Sequence, residues 1–157
     1  MKGKKTLKYQ TTNELEHFEF KEAFIEEIVQ MNGYFYMNLA NVTILPENSC
    51  NRDIRKMRTN DLVFQIPDGR ILTFVEEGYQ VFDANGAFVK KQDDIVLTED
   101  VYLDMLKNLQ EGSIYSIEKK SDCYEIFVDT EEHTYFLKVE GICDVEKWDR
   151  FLNLDQA

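Results

Sequence analysis

The chain has 157 residues, 43% of them hydrophobic and 31% charged, with 11 Phe, 8 Tyr, one Trp and a net charge of −12. This is the composition of a globular protein long enough for one ordinary core, so neither a disordered chain nor a disulfide-stapled miniprotein is expected. No stretch approaches the ~20 apolar residues of a membrane-spanning helix. A chain with 30 acidic side chains and no concentrated basic face is also poorly suited to nucleic acid.

The N-terminus MKGKKTLKYQ lacks the apolar run of a signal peptide, and a cytoplasmic location follows as the expectation. Residues 1–13 read as a flexible basic lead-in carrying Lys2, Lys4, Lys5 and Lys8, and residues 14–157 as a single domain. The acidic body would attract a basic partner.

Residues 22–44, EAFIEEIVQMNGYFYMNLANVTI, admit two readings. As a helix, Leu15, Phe18, Ile25 and Ile28 fall near one stripe and Gly33 ends it. As a hairpin, Asn32-Gly33 supplies the two positive-φ residues of a tight turn between strands at 23–31 and 34–44. The hairpin is the stronger reading, and its register pairs Met31 with Tyr34, Val29 with Tyr36 and Ile28 with Met37. One face then collects Phe24, Ile28, Phe35, Met37 and Leu39. The other collects Ile25, Val29, Met31, Tyr34, Tyr36, Val42 and Ile44, and Tyr34, Tyr36, Val29 and Met31 are its candidate partner-binding residues.

Residues 45–61 show no period and read as a long loop or a solvated helical turn, with Arg52, Arg55, Lys56 and Arg58 as the body's basic cluster. Turn signals at Pro67-Asp68-Gly69, Asp83–Gly86, Lys120–Asp122 and Thr130–Glu132 separate strands expected near 62–66, 71–76, 79–83, 87–91, 114–119, 123–129 and 134–140. Between the two groups, residues 98–111 read as a helix capped by Thr98 and ended by Gly112, with Leu103, Leu106 and Leu109 inward. A short C-terminal helix is expected over DVEKWDRFLN, with Asp144 as cap and Trp148, Phe151 and Leu152 inward. The fold class is therefore α+β, mainly an antiparallel meander with one inserted helix.

The segment FKEAFIEEI, Phe20 to Ile28, followed by Asn32-Gly33, resembles the opening hairpin of small acidic bacterial proteins that begin a strand with Phe-His-Asp-Ser-x-Ile-x-x-Ile. Some of these are encoded beside polymorphic toxins as immunity proteins. Phe20, Ile25 and Ile28 match by identity, Glu22 and Ala23 by character, and Lys21 stands where His would. The resemblance covers about 25 residues and implies a β-rich protein that binds rather than catalyses.

Motifs for chemistry are absent from the sequence. There is no phosphate-cradling glycine loop, no G-x-S-x-G and no H-E-x-x-H. Cys50, Cys123 and Cys143 show neither C-x-x-C spacing nor an even count, so no disulfide framework, zinc site or cofactor is expected. His17 sits among Glu14, Glu16 and Glu19. His133 follows Glu131-Glu132 at a hairpin tip, where a solvated charged turn is the plain reading and a weakly held divalent ion the sharper one. The functional expectation is a non-catalytic intracellular protein-binding module, with a homodimer possible. The alternative is a small-molecule-binding or hydrolytic β-fold with a tyrosine-lined pocket.

Overall fold

A computed structural model describes residues 7–154 of the chain. Strand makes up 53% of the described residues, and their longest helical stretch has 11 residues. The strands are β1 (Tyr9–Thr12), β2 (Phe18–Glu19), β3 (Phe24–Met31), β4 (Tyr34–Ala40), β5 (Val42–Ile44), β6 (Met57–Thr59), β7 (Leu62–Pro67) and β8 (Arg70–Glu76). They continue as β9 (Tyr79–Phe82), β10 (Phe88–Gln92), β11 (Ile95–Val96), β12 (Ser113–Lys119), β13 (Cys123–Asp129), β14 (Thr134–Glu140), β15 (Val145–Trp148) and β16 (Leu152–Asn153). All pairings are antiparallel.

Ten strands form one sheet in the order β1-β15-β7-β4-β3-β12-β13-β14-β8-β11, four form a second in the order β16-β6-β5-β2, and β9–β10 stand apart as a two-stranded ribbon. Within the ten-stranded sheet only β3–β4 and β12–β13–β14 keep the expected meander order, and β9–β10 keep it in the ribbon. Flat, the ten-stranded sheet would hold β7 and β13 about 19 Å apart, four strand spacings. Instead the rings of Phe64 and Tyr124 meet edge to face at 6.2 Å, and Phe20 meets Phe64 at 5.6 Å. The sheet is therefore curled on itself, with Ile28, Phe35, Met37, Phe64, Ile126, Leu137 and Val139 inside.

Two devices make the curl possible. β7 passes to β8 through Asp68 and Gly69 alone, although the two strands lie far apart in the sheet order, so this turn is a corner. Asp68 adopts φ 57°, and a Cβ on Gly69 would sit 2.7 Å from the Ile66 carbonyl oxygen. Gln30 fills the seam beside the corner: its amide Nε2 donates to the carbonyls of Tyr34 and Gly69, and its Oε1 accepts from the Ile71 N–H.

The hairpin at Asn32-Gly33 forms with the expected register, Met31 opposite Tyr34, Val29 opposite Tyr36 and Ile28 opposite Met37. Its faces need correction at both ends. A β-bulge between Ile25 and Glu27 turns Ile25 into the core and leaves Phe24 exposed. At the other end Asn41 takes φ 60°, and the chain bends into the second sheet so that Val42 and Ile44 are buried.

The inserted helix is present over residues 99–109 but is short and irregular, and the expectations for the two chain ends need correction. The stretch at 98–111 is a single α-helical turn, α1 (Tyr102–Leu106), between two 3-10 turns at Glu99–Val101 and Lys107–Leu109. Thr98 gives it no side-chain cap, because its hydroxyl is bonded to the Asp100 carboxylate. Leu106 and Leu109 are buried as expected, but Leu103 is 64% exposed.

The C-terminal helix is replaced by β15 and β16, with Trp148 fully buried on a strand and Phe151 against its ring. The lead-in is ordered at Tyr9–Thr12, which pairs with β15, while residues 1–6 of it lie outside the described residues. Residues 45–56 form turns rather than a helix. They are organised by two buried asparagines, and Asn51 Nδ2 donates to the carbonyls of Ile44, Leu45 and Arg55.

Candidate functional site

Alternation along β4 sends Phe35, Met37 and Leu39 inward and leaves Tyr34, Tyr36 and Asn38 on the outer face. Cross-strand pairing then sets Met31 beside Tyr34 and Val29 beside Tyr36, so all four candidate binding residues share that face. Met31 is exposed and the other three are half-buried. The Tyr34 and Tyr36 rings stack at 5.6 Å and 23°, with Pro67 and Gln65 of β7 opposite them.

The polar ends of these rings are fixed. Tyr36 donates from its hydroxyl to Glu27 Oε1 at 3.3 Å, and Asn38 Nδ2 donates to the same oxygen at 2.8 Å. Burial, with Glu27 adding to it, raises the Tyr36 pKa, so its hydroxyl stays a donor. The Tyr34 hydroxyl lies 3.2 Å from Met31 Sδ.

Met31 links this face to a groove of about 290 Å³ that it lines with Ile71, Tyr102, Leu103 and Arg70. Leu103 and Tyr102 were invisible as site residues in the sequence, where Leu103 reads as part of an inward stripe. Only the shortness of the helical turn puts it outside.

A second cluster surrounds a polar cleft of about 400 Å³ between the 107–112 segment and the β13–β14 tip. Tyr135 donates to Glu76 Oε1 at 3.2 Å, and Glu76 Oε2 stands 3.9 Å from His133 Nε2. Burial first, then the Glu76 charge, pushes the Tyr135 hydroxyl up to about 12. His133 is thus part of a folded cluster rather than a solvated turn. The Thr130 hydroxyl beside them donates to the His133 carbonyl and accepts from the His133 N–H, which fixes the tip that carries the imidazole. Among the described residues no three His, Cys, Asp or Glu side chains converge as metal ligands.

A third cluster is fully enclosed. Asp144 and Glu146 are both without exposure; Tyr124 donates to Asp144 Oδ1 at 2.6 Å and Thr11 to Glu146 Oε1 at 2.7 Å. Asp144 Oδ2 and Glu146 Oε2 meet no N–H or hydroxyl donor. A proton on Glu146, donated to Asp144, satisfies both. Burial, then the bond to Asp144 and its charge, raises the Glu146 pKa to about 9. A buried pair of carboxyls resembles an acid–base dyad, but neither residue lines any of the clefts described above. The pair holds β15 to β1 and β13.

No family model, curated protein or solved structure matches this chain. Among the described residues no helix is long and apolar enough to cross a membrane.

Proposed function

We propose that the chain is a non-catalytic protein-binding module that docks its partner on the outer face of β3 and β4. The stacked Tyr34–Tyr36 pair carries this reading. Rigid aromatic rings flanked by Val29 and Met31, beside a groove with Tyr102 and Leu103, have the character of an interface centre. With a net charge of −12, the protein would associate fastest with a basic partner. In its most specific form this is a toxin-neutralising, immunity-type protein acting on a basic nuclease-like partner, supported by the charge and by the resemblance of the opening hairpin.

The test is titration of the chain against the products of neighbouring genes. One should bind, with affinity falling as salt rises. Replacing both rings, Tyr34→Ala with Tyr36→Ala, should raise Kd roughly thirtyfold or more if each ring is a hot spot. A double variant that binds as tightly as the parent sinks the reading, as does a full set of neighbours that do not bind.

The Glu76–His133–Tyr135 cleft favours the rival, a small-molecule-binding or hydrolytic protein. In that case Glu76→Gln or His133→Ala, rather than the tyrosine variants, would abolish ligand binding or turnover.

A further inference from the structure

The outer side of β10 and β11 carries the nine residues Phe88-Val89-Lys90-Lys91-Gln92-Asp93-Asp94-Ile95-Val96. Counted outward from Gln92, Lys91 corresponds to Asp93, Lys90 to Asp94, Val89 to Ile95 and Phe88 to Val96. The charges invert about the centre and the apolar residues repeat. A strand with this pattern, laid antiparallel on a second copy of itself, meets opposite charge at each charged position and an apolar side chain at each apolar one.

The structure leaves this edge open. β10 pairs only with β9, and β11 ends the ten-stranded sheet. From Lys90 onward the two ladders share one register, Gln92 opposite Tyr79 and Ile95 opposite Glu76, so residues 90–96 run as one edge interrupted at Asp93-Asp94, and a β-bulge between Phe88 and Lys90 offsets Phe88 from it. Every residue from 82 to 96 is exposed, including Phe88 at 59%, Val89 at 55%, Ile95 at 42% and Val96 at 69%. A two-stranded ribbon with neither face covered is marginal in water, which makes burial against something else favourable.

We propose that residues 88–96 form a homodimer interface, in which two copies pair these edges antiparallel about a two-fold axis through Gln92. The occupant is a second copy because the order of the charges is self-complementary. A foreign strand would satisfy the backbone but has no reason to carry that order. Within one copy Lys91 lies 3.3 Å from Asp93, an exposed pair that can exchange partners at little cost, and Asp94 Oδ1 accepts from the Gly78 N–H at 2.7 Å, leaving its other oxygen to face Lys90 of the second copy. The opposing role for such charges is to block addition at a sheet edge, and it predicts a monomer. The dimer uses a different surface from the tyrosine face, so either idea can fail alone.

Sedimentation equilibrium of the full chain should show a concentration-dependent dimer that weakens with salt. Lys90→Glu with Lys91→Glu makes the edge wholly acidic, and Asp93→Lys with Asp94→Lys makes it wholly basic. Each double variant alone should dimerise about tenfold more weakly or worse, with Trp148 fluorescence reporting an unchanged fold. Mixed in equal amounts, the two should form a heterodimer. A parent chain that stays monomeric throughout, or a mixture that does not pair, overturns the proposal.

Discussion

Replacing Glu146 by Gln should stabilise the protein at neutral pH, against the usual direction for a fully buried site. In the fold Glu146 is held as the acid; in the unfolded chain it ionises near its ordinary value of 4.5. A raised folded pKa gives a contribution that is complete below 4.5 and is lost as pH climbs toward about 9. Each pH unit in that window costs about 1.4 kcal/mol, so at pH 7 the proton taken up on folding costs about 3 kcal/mol. Gln keeps an oxygen for the Thr11 hydroxyl and offers an N–H to Asp144, without the proton uptake.

The assay is urea unfolding of parent and Glu146→Gln from pH 4 to 9, read by the single Trp, Trp148, which lies two residues along the same strand. The difference between the two removes the slope from the remaining carboxylates. It should be small near pH 4 and grow in favour of the variant up to about 3 kcal/mol at pH 7. A difference that does not change between pH 4 and 7 would show that Glu146 takes up no proton on folding and would refute the shared-proton account.

Other consequences of the packing are directly measurable. Asn51→Ala removes the amide donor to three carbonyls and should cost about 1–3 kcal/mol in chemical denaturation. Gly141→Ala would place a Cβ 2.3 Å from Ile66 Cγ2, where strands of the curled sheet press together, and overpacking should cost about 1–3 kcal/mol. The helical turn gives a contrasting pair. Leu109→Ala opens the core and should lower the unfolding free energy by about 2–5 kcal/mol, whereas Leu103→Ala should change it by no more than about 0.5 kcal/mol. Equal effects of the two leucines would mean that the stripe read from the sequence, and not the single exposed turn, describes the segment.

The register of the 22–44 hairpin was legible because its cause is local: Asn32-Gly33 makes the turn, although only Gly33, at φ 91°, takes the positive φ expected of both residues. The same holds for β12, β13 and β14, whose alternation and polar tips set their limits. The side to which Ile25 faces was not legible. The bulge after it lies next to the point where Ser113 pairs with Phe24 and the two halves of the sheet join, and no neighbouring residue announces that contact. The tyrosine face survives this error because the bulge lies on the far side of Glu27 from Val29 and Met31.

The missed strand β15 fails for a different reason, and it bears on function. Along Asp144-Val145-Glu146-Lys147-Trp148 the buried side chains alternate, but two of the three are carboxyls, while Val145 and Lys147 stay half-buried. A hydrophobicity pattern reads that as a solvated helix start. Burying those acids becomes tolerable through Thr11, Tyr124 and a shared proton, with the Lys119 ammonium 3.9 Å from Asp144 Oδ1; Thr11 and Tyr124 lie 135 and 20 residues away from the groups they meet. Titratable groups in perturbed environments commonly mark reactive sites. Here the most perturbed carboxyl is sealed in the core and ties the first strand of the sheet to its neighbour, while the accessible tyrosines of β4 are held by ordinary donors and acceptors. Buried acid on one side and a rigid aromatic pair on the other accord with the proposed reading, in which the β4 tyrosines and not the Asp144–Glu146 pair meet the partner.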